Sequence, residues 1–159
     1  MNAFNRMAAR LLAVTLMLSC SSVTLAGGEM NLDEAGVLMQ GYDPVSYHDD
    51  SPQRGNRSVE TSYQGARIHF ASEANLERFL ADPERYMPAY GGYCAYGVRM
   101  GQKFDIDPYS YHVSGGRLYL MLDRSTRLLW AQNREHNIGI ADRIWNTIGE
   151  VPAEALAAN

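Results

Sequence analysis

Tyr90–Gly101, YGGYCAYGVRMG, holds the residue with the most reactive side-chain chemistry in the chain, Cys94. Two glycines precede it and helix-compatible residues follow. That order lets backbone N–H groups converge near the sulfur, and the first turn of a helix there would favour thiolate over thiol. A thiolate attacks disulfides, reacts with oxidants and binds soft metals. The competing reading is a small buried hydrophobe without chemistry.

His48, His69, His112 and His136 are the other candidate ligands. They show no H-x3-H or C-x2-C spacing of the kind that makes a preformed metal site. His69 and His112 fall in extended stretches, where a histidine is most often a hydrogen-bonded or surface residue. A site built from Cys94 with His48 or His112 would suit copper or zinc if the fold gathers them. Asp105 and Asp107 share a face if extended, but beside Pro108 they read as turn caps. Met39, Met87, Met100 and Met121 read as gap-fillers. No P-loop, G-x-G-x-x-G or G-x-S-x-G is present, so a binding protein is expected rather than an enzyme.

Positioning begins with where the mature chain starts. Arg6 and Arg10 precede the apolar run Leu11–Leu18, and small residues follow, the layout of a secretory signal over residues 1–26 with cleavage after Ala26. An alternative cut before Cys20, within Leu18-Ser19-Cys20, would give a lipoprotein anchored at a membrane. The favoured product is soluble in the periplasm or outside the cell. Its loss of two arginines and no acids moves the net charge from −4 to −6. An acidic chain without a basic run argues against nucleic acid as a partner. Cys94 then has no second cysteine with which to form an internal disulfide.

Residues 27–40 read as an approach segment, 41–149 as one domain and 150–159 as a frayed tail. Val59–Tyr63 and Ala66–Phe70 alternate about Gln64-Gly65, and Tyr109–Val113 and Arg117–Leu122 alternate about Ser114-Gly115-Gly116, predicting two β-hairpins. Ser72 caps a helix with an apolar stripe at Leu76, Phe79 and Leu80, and Pro83 opens a second short one. Asp123 opens a long C-terminal helix. The class is α+β, a small single domain.

Taken together, Tyr42-Asp43-Pro44-Val45, the hairpin into Phe70-Ala71-Ser72, the helix running to Asp82-Pro83-Glu84-Arg85-Tyr86, and Tyr90–Tyr96 resemble the YHS domain. They are similar to the exported bacterial YHS domain-containing (seleno)protein group. The resemblance implies a TRASH-like, metal-associated module, in which ligand cysteines would fall at Ser46, Ala71 and Asn75. All three are absent, and Ser, Ala and Asn do not replace thiolates on a soft metal. Cys94 lies in the group's GGYCA motif, where the resemblance implies selenocysteine in some relatives. His48 follows the DPVSY turn that the family places beside its site. Three functions follow as expectations: a transition-metal binding protein with Cys94 as ligand, a thiol-redox protein acting on a small thiol, an oxidant or a partner's disulfide, or an interaction module for a periplasmic protein.

Overall fold

The computed structural model describes residues 29–157; the signal-like segment and the alternative cut at Cys20 lie outside them. Strands β1 (Asn56–Tyr63) and β2 (Ala66–Phe70) form one antiparallel hairpin, and β3 (Asp107–Ser114) and β4 (Arg117–Met121) form another. Both turn where the paired turn residues stand, with Gln64, Gly65, Gly115 and Gly116 at positive φ. Helices α1 (Glu73–Ala81) and α2 (Pro83–Tyr86) follow the first hairpin, and α3 (Ala95–Arg99) precedes the second. The chain closes with α4 (Arg124–Gln132), α5 (Arg134–Ile148) and α6 (Ala153–Ala157). This is the expected α+β domain.

Aromatic contacts stitch each hairpin to its helices. Phe79 of α1 lies with its ring 5.2 Å from Phe70 and 5.7 Å from Tyr63. Tyr119 of β4 meets Trp130 of α4 at 5.5 Å and Tyr90 at 5.9 Å. Offset and edge contacts at such distances add modestly to the area they bury. Ser72 caps α1 through Asn75 N–H as expected, but the stripe is narrower: Phe79 is buried, whereas Leu80 is 57% exposed.

The long C-terminal helix is two helices. Asn133 leaves the helical region (φ −148°, ψ 62°) and serves both ends. The buried Asn137 amide then donates to the carbonyls of Trp130 (3.0 Å) and Leu129 (3.4 Å), which the break leaves without helical partners. The tail also differs from the frayed expectation. Residues 153–157 form α6, with Ala153 and Leu156 packed on the core.

Residues 29–41 wrap the domain. Glu29 N–H donates to the Gly149 carbonyl (2.7 Å), and Asn31 N–H to the Gly91 carbonyl (2.9 Å). The ammonium of Lys103, with no exposed side-chain surface, contacts the Glu29 carboxylate (2.8 Å) and donates to the carbonyls of Val151 (2.6 Å) and Gly149 (3.0 Å).

Candidate functional site

The approach to Cys94 is a left-handed run, with φ of 56° at Tyr90, 61° at Gly91 and 83° at Gly92. Glycine is required at Gly91, because an added Cβ would run into the Glu29 carbonyl oxygen. Tyr90 tolerates its conformation because its ring is buried and its hydroxyl donates to Asp142 (3.0 Å). The run delivers Cys94 as the N-cap residue of α3. Its own N–H donates to the Phe104 carbonyl (3.0 Å), and its sulfur accepts from Gly97 N–H at 3.4 Å. A second donor comes from across the fold: Leu122 N–H, just past the end of β4, points at the same sulfur at 3.2 Å.

Cys94 is therefore a free cysteine, 1% exposed, held by two backbone N–H groups. Burial pushes its thiol pKa up, while the N–H groups of Gly97, Leu122 and Tyr96 pull it down. Cys94 nonetheless lines a cavity of about 410 Å³ whose other walls include Tyr96, Met100, Phe104 and Leu122. Met100, Phe104 and Leu122 are 60%, 43% and 41% exposed, so the apolar rim opens to solvent above a buried thiol.

Met39 and Met121 fill the core as expected, but Met100 does not. Its side chain is exposed on the wall that Cys94 shares, and its sulfur accepts from Arg99 Nη1 at 4.0 Å. Asp105 and Asp107 behave as turn caps, accepting from Ile106 N–H and Tyr109 N–H respectively.

The two candidate histidines have other surroundings. His48 is half-buried with its ring 5.0 Å from that of Tyr86; burial lowers its pKa, with Arg85 and Arg78 adding to the effect. His112, on β3, is lowered by burial and then by Arg134 and Arg127. Each keeps an unpartnered buried Nε2, yet each lies among guanidinium groups that repel a cation. Among the described residues, no group of three or more His, Cys, Asp or Glu could hold a metal ion, so Cys94, His48 and His112 do not assemble one.

The three positions where the resemblance puts cysteines gather around a carboxylate instead. Asp43 is fully buried. Its Oδ1 accepts from Val45 N–H (2.8 Å), and its Oδ2 accepts from Ala71 N–H (2.9 Å) and Asn75 Nδ2 (2.6 Å). Ser46 Oγ donates to the Asp43 carbonyl (2.6 Å) and accepts from Gln53 N–H (2.9 Å). The network closes on itself with hard or neutral groups, and these residues do not fit a soft metal.

A small α+β domain with a thiol beneath an apolar pocket is the class these observations define. Residues 45–90, which span the first hairpin, α1, α2 and the turn toward Cys94, match the family model of the YHS domain. The YHS domain is a family associated with metal binding, copper in particular. No curated protein and no solved structure matches the chain.

Proposed function

We propose that this is an exported small binding protein that takes a soft transition-metal ion, copper(I) by its donors, in the pocket over Cys94. One observation carries the reading: Cys94 and the exposed thioether of Met100 line the same cavity. Thiolate and thioether sulfur select copper(I) over harder ions. Zinc is disfavoured, since it wants four nitrogen, sulfur or carboxylate ligands and the described residues hold no such cluster. The family's association with metal supports the class of ligand, although the ligands lie outside the family's cysteine positions. Export rests on the signal-like residues 1–26.

The chain's own groups prepare the site. N–H donation from Gly97 and Leu122 supports negative charge on Sγ and offsets part of the burial penalty. Phe104 and Leu122 give the pocket apolar walls beside the sulfur ligands.

A second reading, thiol-redox chemistry, is favoured by the same two N–H groups, which stabilise a thiolate. Attack of that thiolate on hydrogen peroxide breaks the O–O bond, leaving one OH on sulfur as a sulfenic acid while the other departs as hydroxide and takes a solvent proton to become water. With no other cysteine in the described residues, an external thiol must restore it.

Anaerobic titration of the purified protein with copper(I) against a chromogenic chelator separates the two. The expected result is one bound ion, lost in Cys94→Ser, weakened about tenfold in Met100→Leu, and unchanged in His48→Gln and His112→Gln. Binding that survives Cys94→Ser would sink the metal reading. Absence of binding together with stoichiometric sulfenic acid formation at Cys94 would install the redox one.

A further inference from the structure

A second cavity, of about 140 Å³, lies between the wrapping segment and the first hairpin and shares no residue with the Cys94 pocket. Three arginines line it, Arg54, Arg57 and Arg67, together with His69, Gly41 and Asp33. That concentration is unexpected in a chain of net charge −4.

Local structure explains how the arginines converge. Gly55 lies flat against His69, and a Cβ there would stand 2.5 Å from the His69 Cβ. Only glycine permits that approach, and it brings Arg54 to the cavity wall. The β1–β2 ladder then loses register between Asn56 and Glu60, and Arg57 lies in that irregular stretch. Such irregularities re-aim side chains. Arg67 comes from the facing strand β2.

The guanidinium groups are incompletely neutralised. Arg67 pairs with Glu60 (3.1 Å) and donates to the Ala35 carbonyl (3.4 Å). Arg54 lies over the Tyr42 ring at 5.7 Å, with no carboxylate partner. Arg57 has no hydrogen bond or ion pair to any described residue. The Asp33 Oδ1 in the cavity wall accepts from Ala35 N–H and Val37 N–H, both at 2.9 Å, so it serves its own turn. His69, 5% exposed, also lines the cavity; its Nδ1 lies beside Gly41, while its Nε2 faces Glu60 Oε2 at 3.2 Å.

We propose that this cavity binds a small oxyanion, phosphate or the carboxylate of a short organic acid, with Arg57 as its principal ligand and Arg54 and Arg67 flanking. Guanidinium forks match the paired oxygens of both anion types, and a concave wall strengthens the attraction. The cavity, of about 140 Å³, admits a group of that size.

Calorimetric titration of the full chain at low salt, with inorganic phosphate in one arm and succinate in the other, tests this. Saturable one-to-one binding is expected in at least one arm, and the arm that saturates tells phosphate from carboxylate. Arg57→Gln should weaken that binding about tenfold or more. Arg54→Gln should weaken it severalfold, and Arg143→Gln on α5 should leave it unchanged. In NMR spectra the Gly55 amide and the His69 imidazole should shift with the same saturation. If Arg67→Gln does not fold for want of its Glu60 contact, Arg57→Gln and Arg54→Gln decide the matter. No saturation in either arm up to about 10 mM, or wild-type affinity in Arg57→Gln, would overturn the proposal.

Discussion

Asn75 Nδ2 donates a 2.6 Å hydrogen bond to Asp43 Oδ2, joining α1 to the turn that opens the domain. Where the resemblance puts a cysteine ligand, the side chain serves a buried carboxylate. A single-oxygen amide at Asp43 cannot accept from Val45, Ala71 and Asn75 at once.

Asp43→Asn is therefore expected to destabilise the fold by about 3 kcal/mol, because buried donors lose their acceptor. Asn75→Ala, which removes one donor and leaves two, should cost about half as much. Urea unfolding followed by far-ultraviolet dichroism measures both. Equal stabilities for Asp43→Asn and wild type would show that the network contributes nothing.

Lys103 makes a second buried polar centre, with two carbonyls and the Glu29 carboxylate around its ammonium. Lys103→Met should cost about 3 kcal/mol, since the carbonyls of Gly149 and Val151 are left without that donor. The accompanying loss of protection at the Glu29 amide should be visible by hydrogen exchange.

Both His48 and His112 resist protonation in the fold, chiefly through burial. The unfolded chain takes up protons near its ordinary histidine value of about 6.5, while the folded chain does so only at lower pH. Their contribution to stability is thus full above about 6.5 and is lost as pH falls through their depressed folded values. Thermal midpoints should drop from pH 8 toward pH 5, an interval chosen to bracket roughly that range, and His48→Gln should flatten the slope. A slope unchanged in both His48→Gln and His112→Gln would assign the acid sensitivity elsewhere.

Cys94 runs the other way. Burial raises its pKa, so folding disfavours its ionisation. The associated stability is present below about 8.5 and lost as pH rises through the raised folded value. Alkylation by iodoacetamide should be slow at neutral pH and climb only beyond the range of a free thiol. Phe104→Ala, which opens the rim, should speed alkylation without moving its pH midpoint. A midpoint below that of a free thiol would mean that the Gly97 and Leu122 N–H groups outweigh burial.

Much of this domain was legible in the sequence because it is local. Alternation about Gln64-Gly65 and Gly115-Gly116 defines the hairpins, Ser72 and Asp123 cap their helices, and two glycines announce the start of α3 at Cys94. Contacts between distant segments were not legible. Nothing near Cys94 shows that Leu122 N–H will reach its sulfur, or that Met100 will stand on the pocket wall instead of filling the core. The break at Asn133 falls in the polar run Gln132–Asn137, which reads as a solvated helix face as readily as a break, and the Asn137 amide satisfies the carbonyls it frees. Asp43 looked like a turn residue; its three donors come from positions 45, 71 and 75. The arginines of the second cavity are likewise scattered in sequence and meet only when β1 loses register with β2.

The Glu29–Gly149 hydrogen bond and the Lys103 contacts have a topological corollary. They place the first described residue beside the end of α5, so the domain's entry and exit share one pole. A short linker across that pole, with new termini opened at the Gly115-Gly116 turn, should yield a circularly permuted chain that keeps the same core.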